Sequence, residues 1–368
     1  MAEIQDIFNQ LDPSYINRLH LSQIKAVRAI SNCRTATLGY HANSCDNCDY
    51  EKFAYNSCRN RNCPKCQTLK KEQWIHKQEQ YLLDIPYFHV VFTLPSELNQ
   101  IALQNQSVVY TLFFKAVSET LKELAVDEKY LGAKLGLTAV LHTWGQNLSY
   151  HPHIHCIIPG GGLTSDGKWK NSREKFFLPV KVLSRKFRGK FLSYLNNADL
   201  AFYTTIADLE NPVNFSSLIS SLHRKEWVVY CKKPFGSAKH VISYLGRYTH
   251  RVAITNNRII SATDNQVTFT YRDYRDSNKV KEMTLRAEEF ARRFLMHVLP
   301  SGFHKIRHYG LLAPRDKLER IILCKKLTGM KIVTFQPKET EDFLREMMGT
   351  DFNKCPHCDH GILARPSP

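Results

Sequence analysis

The nine residues Tyr150-His151-Pro152-His153-Ile154-His155-Cys156-Ile157-Ile158 alternate in the way an extended strand uses. Successive side chains of a strand point to opposite faces, so His153 and His155 project together while Ile154, Cys156 and Ile158 face the other way. The apolar three can anchor the strand to a core. The two imidazoles can converge on a divalent cation that keeps open coordination positions. His151 lies on the same face, but Pro152 suits it to orienting the turn. A lone His-x-His is weak evidence, since many are structural. Metallo-hydrolases of the β-lactamase type continue as His-x-His-x-Asp-His; here Cys156-Ile157-Ile158 follows, and that site is excluded.

Working outward, Leu137–Gln146 reads as a second strand joined to the first by a short polar turn, and Tyr87–Leu94 (YFHVVFTL), stopped by Pro95, reads as a third. Strand-like runs recur at Trp227–Cys231 and Gln266–Tyr274. Between Val180 and Leu195 the residues Val180, Leu183, Phe187, Phe191 and Leu195 recur at helical spacing, and further helices are expected near 96–125, 287–298 and 315–327. Strands and helices interleave through short loops, so the expected class is α+β with a largely antiparallel sheet.

After a plausible N-cap at Ser237 comes Ala238–Arg251, in which Tyr244 and Tyr248 stand at i and i+4 and so share one helix face. Arg247, His250 and Arg251 surround them with cationic donors. A phenol with a pKa near ~10 is a poor nucleophile at neutral pH, so it needs a polarised target or help in losing its proton. Two tyrosines on a helix are ordinarily core residues; beside a His-x-His strand they become candidate nucleophiles.

Eleven cysteines in a chain with no signal sequence and no run of ~20 apolar residues suggest a reducing, cytoplasmic setting, in which metal binding is commoner than disulfides. The spacing Cys45-x2-Cys48 and Cys63-x2-Cys66 fits four thiolates around a structural Zn²⁺, and these four are the expected ligands. Cys33, His41 and Cys58 are surplus: they complete a second zinc site or are buried as small apolar groups. The tail pair Cys355-x2-Cys358, with His357 and His360, could supply half of another site or pack with nothing. Arg59 and Arg61 sit between the zinc ligands, where an ordered loop could offer them to DNA.

Lysine and arginine number 51 against 34 acidic residues, a formal charge of +17. That excess suits a polyanionic partner, because each cation set against a phosphate releases a condensed counterion. There is no G-x-x-x-x-G-K-[ST] loop, so no nucleotide cofactor is expected.

In this order, the cysteine-rich module, YFHVVFTLP, HPHIHCIIPGGG and YLGRYTHRVAI resemble the rolling-circle transposases of the insertion-sequence-91 type, within the HUH superfamily of relaxases and replication initiators. The resemblance spans roughly residues 33–312. It implies a zinc-binding module (1–84, with a helical lead), an HUH endonuclease domain with a five-stranded antiparallel sheet flanked by helices (85–312), and a C-terminal helix and tail (313–368). It implies His153 and His155 as ligands of Mg²⁺ or Mn²⁺, and Tyr244 and Tyr248 as the family's two tyrosines. Arg247 and Arg251, like Arg59 and Arg61, are assigned to DNA. The third ligand in the superfamily is His, Glu or Gln; Gln146, seven residues before His153, is nominated, with His142 as substitute. The implied activity is nicking and rejoining of single-stranded DNA at mobile-element ends through a 5′-phosphotyrosine, with Tyr244 acting first. A replication initiator or relaxase with the same chemistry, and a non-catalytic zinc-ribbon DNA-binding protein, are the alternatives. Target sequence and oligomeric state are not legible.

Overall fold

The computed structural model describes residues 2–173, 177–235, 241, 244, 246, 249–250, 252–274, 276–349, 351, 353–358 and 360–364. Among the described residues, thirteen strands run in chain order: β1 (Tyr40–Cys45), β2 (Glu51–Tyr55), β3 (Tyr87–Thr93), β4 (Gly136–Trp144), β5 (Tyr150–Pro159), β6 (Gly161–Leu163), β7 (Trp169–Asn171), β8 (Val229–Phe235), β9 (Ile259–Thr263), β10 (Gln266–Asp273), β11 (Lys279–Arg286), β12 (Ile306–Gly310) and β13 (Leu363–Ala364). The central sheet has the order β12-β4-β5-β3-β8, five strands, antiparallel at every pairing. The α+β class with a five-stranded antiparallel sheet is what the sequence led us to expect.

The two faces of this sheet are unlike, and strand alternation is the cause. One face presents Phe88, Val90 and Phe92 of β3, Leu137, Ala139 and Leu141 of β4, and Ile154, Cys156 and Ile158 of β5, all buried in one apolar core. The helices Gln106–Val126 and Val180–Asn196 cover it. Their apolar stripes include Phe113, Phe187 and Phe191, none of which has measurable exposure. Burial of such a side chain contributes about 1.5–3 kcal/mol, so the ~3.6-residue spacing seen in the sequence marks the principal packing layer. The opposite face carries the histidines.

A second core forms on the three-stranded sheet β11-β10-β9. Here the helical lead at 4–31 buries Ile4, Ile7, Phe8, Val27 and Ile30 against Phe269, Phe290 and Phe294. Phe8 and Phe294 meet edge to face with centroids 5.4 Å apart. The lead therefore packs on residues 254–298 as well as on the cysteine module beside it. Strands β9, β11 and β12 were not foreseen: β11 is exposed on most of its residues, so its sequence carries no apolar alternation to read.

The tail turns back across the molecule. The helix Thr340–Met348 lies against the helix Pro64–Glu79, where Gln73 donates to Thr340 Oγ1 at 3.2 Å and His76 Nε2 lies 2.9 Å from Gln336 O. Beyond it, β13 adds to the outer edge of β1, giving the sheet β13-β1-β2. Among the described residues no helix is long and apolar enough to cross a membrane.

Candidate functional site

The histidine face is built by register. His142 on β4 sits directly opposite His153 on β5, and His155 lies two residues further along the same face. Each of the three offers a ring nitrogen, and these atoms lie within 4.8 Å of one another. Nδ1 of His153 donates to the carbonyl oxygen of His151 at 2.7 Å, while Nδ1 of His155 faces Nε2 of His89 at 2.8 Å. Both contacts commit Nδ1 and turn the opposite edge of each ring, with Nε2, into the cluster. His142 is backed by Trp144, stacked at 4.7 Å. Three neutral imidazoles suit a divalent cation, and having no charge of their own they leave its full charge for an anionic ligand such as a phosphodiester.

Gln146 does not belong to this cluster. The strands β4 and β5 form a hairpin whose turn occupies residues 145–149, so residue 146 is already past the last ladder pair, Trp144 opposite Tyr150. Its amide donates to the Tyr274 hydroxyl at 3.0 Å, and its carbonyl accepts from Arg258. The third imidazole comes from His142, the substitute, because a hairpin brings together residues equidistant from its turn. The turn residues Gly145 and Asn147 were the signal that would have found it.

Tyr244 reaches the same face. Its hydroxyl lies 2.9 Å from Nδ1 and 3.4 Å from Nε2 of His89, and that Nε2 is 2.8 Å from Nδ1 of His155. The order Tyr244–His89–His155 thus joins a phenol to the histidine cluster through one buried imidazole that the sequence reading did not single out. His89 belongs to β3, opposite Ile157 and diagonal to His155. Burial, reinforced by Lys232 and His153, pulls its pKa down to about 3, so at neutral pH the ring is uncharged. Behind Tyr244 the chain approaches the helix Pro64–Glu79 closely: a Cβ on Gly246 would lie 2.2 Å from Cδ1 of Ile75. Trp74 packs with Tyr87, Ile157 and Val241 on this side of the sheet. Tyr248, Arg247, Arg251 and the expected N-cap Ser237 lie outside the described residues.

The cysteines sort differently from the expected quartet. Cys63 and Cys66 cluster with Cys33 and Cys58, whereas Cys45 and Cys48 cluster with Cys355 and Cys358. In the first group the Sγ atoms of Cys33, Cys58 and Cys63 approach one another or Cys66 at 3.6 Å. A tetrahedron with Zn–S of ~2.3 Å has edges of about 3.8 Å, so the group fits zinc and is far too open for disulfides. The quartet fails because Cys45-x2-Cys48 and Cys63-x2-Cys66 are separate half-sites, and each finds its other half elsewhere.

Arg61 is also not offered to DNA. Its guanidinium donates to the carbonyl oxygens of Phe303, Leu299 and Pro300, at 2.6, 3.0 and 2.6 Å. It locks the zinc-ordered loop to the segment entering β12. Arg59 is exposed, with its backbone in the left-handed region at φ 53° and its carbonyl held by Lys70.

Comparison with known proteins finds transposases. A family described as putative transposase matches residues 136–319, and one described as transposase zinc-binding domain matches residues 4–94. The chain is 45% identical to the putative transposase y4qJ of Sinorhizobium fredii, over 98% of its own length and 94% of that protein. It is 29% identical to the transposase for insertion sequence element IS801 of Pseudomonas savastanoi pv. phaseolicola, over 80% of its own length and 71% of that protein. Among solved structures, the conjugative relaxase TrwC in complex with mutant OriT DNA overlaps 42% of this chain and 70% of its own, at 13% identity and a TM-score of 0.26. An overlap that slight leaves the fold to be judged from this chain alone.

Proposed function

Because the chain belongs to the family of rolling-circle transposases of the insertion-sequence-91 type, we propose that it nicks and rejoins single-stranded DNA at the ends of a mobile element through a 5′-phosphotyrosine on Tyr244. The observation that carries this reading is the line of contacts from Tyr244 through His89 to His155. It sets a nucleophile beside a cation-binding cluster, which is the pairing that phosphodiester cleavage by a phenol needs.

His142, His153 and His155 would hold a divalent ion, Mg²⁺ or Mn²⁺, that polarises the scissile phosphate. With Nε2 of His155 committed to the cluster, its Nδ1 keeps the proton and donates to Nε2 of His89. The Tyr244 oxygen lies 2.9 Å from Nδ1 and 3.4 Å from Nε2 of neutral His89, over the ring and along neither N–H axis, so the imidazole positions the phenol by contact. The phenol oxygen is thereby held beside the cluster, where the bound cation would polarise the phosphate it attacks. As Tyr244 attacks, the bond from its oxygen to phosphorus forms and the bond from phosphorus to the 3′ oxygen breaks. The leaving 3′ oxygen gains one proton and the phenol loses one. The number of phosphoester bonds is unchanged, so rejoining requires no nucleotide.

Tyr248 would take the second strand transfer, with Arg247 and Arg251 binding phosphate beside it and Arg59 contributing from the zinc loop. The test is incubation of the full chain with labelled single-stranded DNA from the element ends, followed by denaturing gels. A covalent adduct that disappears in Tyr244→Phe is expected. An adduct that survives in that variant and maps to Tyr248 reverses the order of the two tyrosines; an adduct on neither residue defeats the mechanism.

A further inference from the structure

Cys355 and Cys358 lie outside both family-matched ranges, 4–94 and 136–319, yet the tail delivers them to the N-terminal hairpin. Cys45 Sγ is 3.7 Å from Cys358 Sγ, and Cys48 Sγ is 3.8 Å from Cys355 Sγ. These separations match the ~3.8 Å edge of a tetrathiolate zinc site and are nearly twice a disulfide bond.

Three further features prepare this place for a metal. The backbone N–H groups of Asn47, His357 and Gly361 donate to the sulfurs of Cys45, Cys355 and Cys358 at 3.3–3.4 Å, an arrangement that favours thiolates. Gly361 is where Cys45 comes closest, since a Cβ there would lie 2.2 Å from Cys45 Sγ. The two halves are also pinned by backbone, with Ser44 opposite Ala364, Cys45 opposite Leu363, and Asp46 and Ile362 exchanging hydrogen bonds. His357, whose Nδ1 is 4.0 Å from Cys48 Sγ, stacks on Tyr50 with the rings 6° from parallel. The ligand atoms that lie within 4.8 Å of one another are the four sulfurs, without His357.

We propose that Cys45, Cys48, Cys355 and Cys358 bind a second structural zinc ion, which clasps the C-terminal tail to the N-terminal module. The segment held by the clasp includes the helix Thr340–Met348, whose Phe343 packs edge to face on His76 at 5.5 Å. His76 belongs to the same helix as Trp74 and Ile75, the residues that back the Tyr244 segment. The clasp thus keeps the tail in place over the helix that supports the nucleophile.

The test is metal analysis of the purified full chain by mass spectrometry, paired with the variant Cys355→Ser/Cys358→Ser. The variant should hold one zinc fewer per chain than the wild type; equal zinc contents overturn the proposal. Should the variant fail to fold, the wild type decides by alkylation. With zinc bound, Cys355 and Cys358 should resist N-ethylmaleimide and become reactive at the same chelator concentration as Cys45 and Cys48. Alkylation of Cys355 and Cys358 while Cys45 and Cys48 stay protected also overturns it.

Discussion

The Tyr244 hydroxyl lies 2.9 Å from Nδ1 of His89, whose other ring nitrogen is 2.8 Å from Nδ1 of His155. A buried imidazole in contact with both groups fixes where the phenol oxygen stands relative to the histidine cluster. His89→Ala should therefore slow formation of the covalent DNA adduct about 10–100-fold, the range usual for residues that orient metal ligands. His89→Asn, which keeps a polar side chain in contact with the phenol, should recover part of the loss. Single-turnover rates at saturating DNA make the measurement, with DNA affinity unchanged in both variants. Full-rate adduct formation in His89→Ala would refute the positioning role.

His142 and Gln146 separate cleanly as candidates for the third ligand. His142→Ala should reduce Mn²⁺ affinity and adduct formation at least 100-fold, whereas Gln146→Ala should leave both within about threefold. Isothermal titration with Mn²⁺ reads the difference. The reverse ranking would restore Gln146 to the site.

Gly246 and Ile75 offer a test of how the nucleophile is held. Gly246→Ala forces a Cβ to 2.2 Å from Ile75 Cδ1 and to 2.9 Å from its Cγ1. The segment bearing Tyr244 must shift, and displacements of about 1 Å can cost ~10²-fold in rate. Shortening the opposing side chain with Ile75→Ala in the same molecule should return most of the activity. A double variant no better than Gly246→Ala alone would show that the contact does not set the tyrosine's position.

Arg59 and Arg61, two residues apart, should behave oppositely. Arg61→Ala leaves three carbonyl oxygens without their donor and should lower stability by about 2–4 kcal/mol in denaturant titration. Arg59→Ala should leave stability unchanged and reduce the salt dependence of DNA binding by about one counterion. An Arg61→Ala protein of normal stability with a shallower salt slope would assign Arg61 to DNA after all.

Acid should destabilise the fold in a defined window. His297 is buried between Thr143 Oγ1 and the carbonyl of Leu148, and burial lowers its pKa from 6.5 to about 4. The native ring stays neutral while the unfolded chain takes up a proton below 6.5. Stability is therefore intact above that value and falls as pH drops from 6.5 towards 4. From pH 7.5 to 5 this histidine alone should remove about 2 kcal/mol, on the ~1.4 kcal/mol carried by each pKa unit. Urea midpoints at the two pH values give the slope, which His297→Gln should flatten.

The sequence disclosed what repeats locally. Alternation at 153–158 placed two histidines on one face and three apolar residues in the core, and the stripe Leu183–Phe187–Phe191–Leu195 placed a core helix, because period alone carries both. What stayed hidden depends on pairing across distance. His89 sits in a run, YFHVVFTL, that reads simply as a buried strand; only its diagonal contact with His155 gives it a role. Gln146 was chosen by counting back from His153, but the hairpin turn makes the residue opposite His153 lie eleven positions earlier. The cysteines mislead for the same reason: two Cys-x2-Cys pairs close in sequence look like one site, although Cys45 and Cys48 face a third pair more than 300 residues on.

The pairing of Ser44 with Ala364 also sets a schedule for biosynthesis. At the usual ~5–20 residues per second, a ribosome that has just made β1 needs roughly 15–60 s more to reach β13. Throughout that interval β1 has β2 on one side and nothing of its own chain for the other, and Cys45 and Cys48 stand as two thiols of four. Nascent chains emerging from neighbouring ribosomes on one message could lend each other that missing edge. Folding of this protein is therefore expected to be most error-prone when translation is slow or stalls between the codons for β1 and those for β13.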